Sequence, residues 1–102
     1  MTLKNKGALV TGSTSGIGLA IARALAAEGF HIALNGFGDE AEIESIRQAI
    51  EKDYGVKAIF SPADISQYEA VAAMVEDVEA RLGSLDVLVN NAAIQVNKTV
   101  EH

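Results

Sequence analysis

The sequence predicts an α/β protein built on a partial, doubly wound parallel sheet of four strands and three helices in the order 3-2-1-4. Three observations carry that expectation. Four short aliphatic runs recur along the chain, a segment of helical period separates each from the next, and a glycine-rich turn follows the first. The runs are ALVT (8–11), HIALN (31–35), VKAIFS (56–61) and LDVLVN (85–90), and their nearly continuous apolarity suits strands covered on both faces.

The helices follow from spacing and from their ends. In the first, Ile17, Ala20, Ile21, Ala24 and Leu25 make an apolar stripe, and Gly29 is the stop. In the second, Ile43, Ile46, Ile50 and Tyr54 recur every three or four residues before Gly55. The third opens on SQYE, where Ser66 and Glu69 have the spacing of a capping box, and runs through Val71, Met74, Val75, Val78 and Leu82 to Gly83. Right-handed crossovers make the four strands parallel. Ligands of such sheets sit beyond the carboxyl ends of the strands where their order reverses, here between the first and fourth strands. The loops TGSTSGIG and NNAAIQ converge there, with ADIS close by.

Composition narrows the function classes. The 102 residues read as one domain without repeat, linker or low-complexity segment. A net charge of −6 argues against nucleic acid or an anionic membrane as partner, so any phosphate must be held locally. The absence of cysteine rules out disulfides and thiolate metal sites. The start MTLKNKG lacks the apolar core of a signal peptide, and no apolar run approaches the roughly 18 residues of a membrane span, so a soluble, cytoplasmic protein is expected. His31 has no second candidate ligand near it and reads as structural.

The loop TGSTSGIG is the strongest chemical signal. Gly12 permits a sharp turn, Gly16 lets backbone approach a pyrophosphate, and Gly18 lets the helix pack closely. The helix that starts near Gly16 aims its free N–H groups and positive dipole end at the anion, and Ser13, Thr14 and Ser15 add hydroxyls. No Lys-Ser or Lys-Thr follows the last glycine, which disfavours a mononucleotide loop. A dinucleotide site would place an acid at the end of the second strand; NGFGDE puts Gly36 there, with Asp39 and Glu40 later. Neither Ser15 nor segment 35–42 supplies a cation for a 2′-phosphate, so charge favours NAD over NADP.

TGSTSGIG, ADIS and LDVLVNNA, in that order, resemble the short-chain dehydrogenase/reductase family over about residues 3–95. Within it, NGFG and NNAAIQ look most like the corresponding segments of D-3-hydroxybutyrate dehydrogenases. The resemblance implies a Rossmann-like fold and a dinucleotide cofactor. It assigns the pyrophosphate end to Ser13, Thr14, Ser15, Gly16, Ile17 and Gly18, and the adenosine ribose to Phe37. Asp64 would accept from the adenine amino group and Ile65 would line its pocket. Asn91, Ala92 and Ala93 would contact the ribose nearer the nicotinamide, Asn90 would tie neighbouring strands, and Gln95 would donate to the carboxylate of a 3-hydroxy acid.

There are two departures. The family has glycine where this chain has Ala93. Its chemistry also uses a serine, an asparagine and a tyrosine with a lysine four residues later, all beyond the fourth strand. No Tyr-x-x-x-Lys occurs here, since Tyr54 is followed at four by Ala58 and Tyr68 by Ala72. The expectation is the NAD-binding half of a hydroxy-acid dehydrogenase, without catalytic residues of its own and taking a 3-hydroxy acid only in a complete enzyme. The alternative is a non-catalytic dinucleotide module that associates with itself or with another chain. A Rossmann-like methyltransferase ranks third because NGFG lacks the ribose-binding acid.

Overall fold

A computed structural model describes residues 5–91. The elements are β1 (Gly7–Val10), α1 (Gly16–Ala27), β2 (His31–Asn35), α2 (Glu40–Tyr54), β3 (Ala58–Ser61), α3 (Tyr68–Leu82) and β4 (Val87–Val89). All strand pairs are parallel and the order is β3-β2-β1-β4, as the sequence predicts. The register sets Leu9 beside Ala33 and Leu88, and Val10 beside Leu34 and Val89.

Side-chain alternation along β1 and β2 divides the core into two layers. Ala8, Val10, Ile32 and Leu34 face α1 and α2, where they meet Ala22, Ala26 and Ile50. Leu9 and Ala33 face α3, where they meet Met74, Val78 and Leu82. Leu9, Ile32 and Leu34 are wholly buried, and each such aliphatic stabilises the fold by about 1.5–3 kcal/mol. The central strands therefore anchor both layers. Covering both faces accounts for the continuous apolarity of β1 and β2.

Three expectations need correction. In α1 the fully buried face is Gly18, Ala22 and Ala26, with Leu19, Ile21 and Leu25 flanking it, whereas Ile17 is 71% exposed and Ala20 and Ala24 face outward. GIGLAIARALAA is apolar on nearly all sides, so periodicity does not choose a face; small side chains choose it by letting the helix approach the sheet. At the start of α3, Ser66 and Glu69 form no capping box. The N-cap is Gln67, which makes no side-chain cap, while the Ser66 hydroxyl donates to Asp64 Oδ1 at 2.7 Å. A nearer acceptor two residues back holds the serine. Finally, β4 is not buried on both faces: Val87 and Val89 are half-buried and Leu88 is 56% exposed. Leu88 shares the face of Leu9, but α3 packs chiefly over β1 and β2.

The C-terminal ends of α2 and α3 agree with their glycine signals, and the structure adds a cap at the start of α2. Asp39 caps α2 by accepting the Glu42 N–H at 3.0 Å, and Gly55 and Gly83 close α2 and α3 in the left-handed region. The start of the outer edge of β3 is covered by side chains of α2. Ala58 turns its N–H and C=O away from β2, and α2 meets both: Glu51 Oε2 accepts the N–H and Arg47 donates to the carbonyl, each at 3.0 Å. Side chains stand in for the missing neighbour strand. His31 is structural as expected, its Nδ1 accepting the Lys57 N–H at 3.0 Å.

Candidate functional site

The carboxyl ends of β1, β2, β3 and β4 meet at one edge of the sheet, and the loop Thr11 to Gly18 lies across them. Gly12 takes φ 61° and begins the turn. Gly18 packs directly beneath it: a Cβ on Gly18 would stand 2.1 Å from the Gly12 carbonyl oxygen and 2.8 Å from Asn91 Nδ2. Only glycine fits there.

Ser13 is wholly buried, its hydroxyl donating to the Val10 carbonyl and its N–H to the Asn35 carbonyl, both at 2.7 Å. The Thr14 hydroxyl donates to the Phe37 carbonyl at 2.9 Å. These two side chains therefore fasten the loop to β1 and to the segment after β2. Ser15 differs. It is exposed, it is the N-cap of α1, and its side chain makes no capping bond.

The first bond of the α1 ladder runs from the Leu19 N–H to the Ser15 carbonyl, so the N–H groups of Gly16, Ile17 and Gly18 precede it. The first turn carries no acidic residue, in contrast to Glu40 and Glu42 in α2. Gly16 has φ 59°, and apart from its chain neighbours and its own helix backbone no described atom lies within 4 Å of where its Cβ would be. Open space thus faces an uncapped positive helix end, which suits an anion from outside.

Beside this lies a cavity of about 230 Å³. Thr14 and Ser15 form one wall, Gly36 and Phe37 a second, and Ala63 and Ile65 a third. Asn35 and Gly12 also reach it. Phe37 is 76% exposed at its mouth and has no place in the core. Among the described residues no lysine or arginine lines it. Asp39 and Glu40 do not line it either, because Asp39 caps α2.

Asp64 is exposed beyond β3. Its Oδ1 accepts both the hydroxyl and the N–H of Ser66, and these bonds hold its carboxyl below the ordinary value of 3.8. At neutral pH it is a carboxylate, an acceptor only. Just after β4, the Asn90 side-chain Oδ1 accepts from the Thr11 hydroxyl at 3.3 Å, linking the ends of β4 and β1. Asn91 is buried, and its Nδ2 donates to the Gly12 carbonyl at 3.1 Å. Ala92, Ala93 and Gln95 lie outside the described residues. Among the described residues no group of histidine and carboxylate side chains could hold a metal ion, and no helix is long and apolar enough to cross a membrane.

One residue of the site is missing from the sequence reading. Asn35 ends β2 and is 2% exposed. Its Nδ2 donates to the carbonyls of Ser61 and Ala63 at 3.1 and 3.0 Å, and its Oδ1 accepts the Gly12 N–H over a long 3.4 Å. The available signal was an amide closing an otherwise apolar strand immediately before a glycine.

The sequence profile of the short chain dehydrogenase family matches residues 6–102. D-beta-hydroxybutyrate dehydrogenase of Rhizobium meliloti strain 1021 is 44% identical over 96 residues, which cover 94% of this chain and 37% of that protein. The enzyme of the same name from Cupriavidus necator is 46% identical over 100 residues, covering 97% and 38%. The solved L-sorbose reductase of Gluconobacter frateurii, complexed with NADPH and L-sorbose, superposes with a TM-score of 0.79 at 38% identity, covering 88% of this chain and 34% of that one. The chain thus spans little more than a third of the length of these curated relatives.

Proposed function

Because the chain belongs to the short chain dehydrogenase family, we propose that residues 1–102 are the dinucleotide-binding part of an oxidoreductase, with NAD as cofactor and a 3-hydroxy acid as substrate of the whole enzyme. The observation that carries the binding role is the uncapped start of α1, where Gly16 faces open space beside the cavity between the β1 and β3 loops.

The Ser15 hydroxyl and the N–H groups of Gly16, Ile17 and Gly18 hold the pyrophosphate. Gly12, Ser13 and Thr14 give the loop its shape. Phe37 lies along the adenosine ribose, Ile65 against the adenine, and Asp64 accepts from the adenine amino group with the oxygen that Ser66 leaves free. Asn91, Ala92 and Ala93 border the nicotinamide ribose, and Gln95 donates to the substrate carboxylate. The dinucleotide supplies the hydride acceptor; what this chain contributes is binding and orientation.

NAD is preferred over NADP for an electrostatic reason. A 2′-phosphate beside Phe37 would find no cation among the described residues that line the cavity, and an unpaired charge there is disfavoured. The NADPH in L-sorbose reductase indicates that family membership alone leaves this choice open. The identity with D-beta-hydroxybutyrate dehydrogenases favours a 3-hydroxy acid. Fluorescence titration of the chain with NADH and NADPH tests the cofactor: tighter NADH binding is expected, and equal or tighter NADPH binding overturns the preference.

A second reading is favoured by one observation. The exposed Leu88 on β4 suits a binding module that associates with another copy of itself. The cysteine-free composition fits a cytoplasmic setting for either reading.

A further inference from the structure

We infer that Asn35 is the positioning residue of the cofactor loop, setting the Gly12 peptide and the ends of β2 and β3 in the one arrangement that opens the adenosine cavity. The inference rests on the dinucleotide reading above and adds a residue to it.

Both N–H groups of the amide are used, on the carbonyls of Ser61 at the end of β3 and of Ala63 just beyond it, and its oxygen takes the Gly12 N–H over the longer 3.4 Å. Two carbonyl oxygens face the nitrogen, so only an NH₂ group satisfies that side. The backbone of the same residue bonds the loop again, its carbonyl accepting the Ser13 N–H at 2.7 Å and its N–H donating to the Ser13 hydroxyl at 3.0 Å. The Met74 sulfur, 3.6 Å from Nδ2, brings α3 against it. One buried side chain thus joins the loop after β1 to the segment after β3.

Gly12 is consequently gripped from two sides. Asn35 in β2 holds its N–H and Asn91 after β4 holds its carbonyl. That grip fixes a left-handed turn whose next residues lead to the start of α1. Ala63 is also the residue before Asp64, so the same amide places the adenine side of the cavity. Without both N–H donors, the Ser61 and Ala63 carbonyls are left buried and unpaired, and the two walls are free to separate.

Titration of the 102-residue chain with NADH, wild type against Asn35→Asp, tests this. The aspartate keeps the shape and the acceptor for Gly12 but turns a carboxylate oxygen toward two carbonyls. Affinity for NADH is expected to fall about tenfold or more near neutral pH. It should recover as the pH is lowered from about 8 to about 5.5, because a buried carboxyl protonates readily and returns one donor. Ile50→Ala, in the core away from the cavity, serves as the control: it lowers the melting temperature and leaves NADH affinity in the folded chain unchanged.

Unchanged affinity in Asn35→Asp at every pH, with the wild type binding, overturns the role of Asn35 alone. Failure of the wild type to bind any dinucleotide overturns the proposed function, and this inference with it. If Asn35→Asp does not fold, NMR of the wild type decides. The Asn35 side-chain amide protons are expected to exchange slowly and to shift on adding NADH; fast exchange or an absent shift overturns the inference.

Discussion

At the scale of single residues, the site is organised by atoms that have no room to move. Gly18 shows this most directly, since a methyl group would collide with the Gly12 carbonyl and crowd the Asn91 amide. Backbone cannot yield as the end of a flexible side chain does. Gly18→Ala is expected to lose about 1–3 kcal/mol of stability, the ordinary cost of overpacking. It should also weaken NADH binding, because the displaced turn carries the N–H groups of α1. Denaturant unfolding and NADH titration check the two effects, and an alanine variant with wild-type affinity would count against this account of the loop.

Titration behaviour is set by similar short contacts. Asp86 accepts from the Ser84 hydroxyl at 2.6 Å and from the Gly7 N–H at 2.9 Å, which keeps its carboxyl below 3.8. The Arg47 and Gln48 side chains hold Glu44 at about 2, down from 4.5. A depressed carboxylate favours folding above its unfolded pKa, and that contribution disappears as the pH falls through the folded value. The melting temperature is therefore expected to decline below about pH 4.5. Asp86→Asn should make the decline shallower while lowering stability at neutral pH. Thermal melts between neutrality and about pH 3 check both; an equally steep decline in the variant would count against Asp86.

Among the elements, legibility tracked how strongly a pattern chooses one outcome. In α2, charged residues surround Ile43, Ile46 and Ile50, so only one face can be buried, and it is, although Tyr54 at the end of the expected stripe is exposed. In α1 almost every position is apolar, and the buried face is decided by which residues are small, a property that apolar periodicity does not record. Ser66 followed by Glu69 matched a capping box, but Asp64 competes for the same hydroxyl over a shorter loop. The glycine loop was readable because strand, turn and helix each leave a local signature. Asn35 was not, because its partners Gly12, Ser61 and Ala63 are distant in sequence and meet only when the sheet forms.

The closed edge of β3 is another element whose logic is tertiary. Arg47 and Glu51 lie one turn apart on α2 and bond the outward carbonyl and N–H of Ala58. The double variant Arg47→Ala with Glu51→Ala uncovers both groups without touching the cavity. A stability loss of about 1–3 kcal/mol is expected in denaturant unfolding, with NADH affinity in the folded chain retained. A loss of affinity with unchanged stability would contradict a purely structural role for this pair.

For the whole molecule, the two edges of the sheet are unequal, and this governs how the chain meets other chains. On β3 the outward groups of Ala58 are bonded by α2, whereas β4 presents the exposed Leu88. An exposed apolar side chain on an edge strand invites pairing of like edges. The chain should self-associate through β4, and sedimentation over a range of concentrations should show the weight-average mass rising. Leu88→Lys places a charge at the centre of that surface and should shift the chain towards monomer at the same concentration. Its NADH affinity should hold, because Leu88 lies within the strand and not at the carboxyl end where the cavity opens. If the lysine variant associates as strongly as the wild type, β4 is not the contact. The Arg47→Ala, Glu51→Ala variant then reports whether β3 is, since uncovering that edge would strengthen association only where strands can pair there.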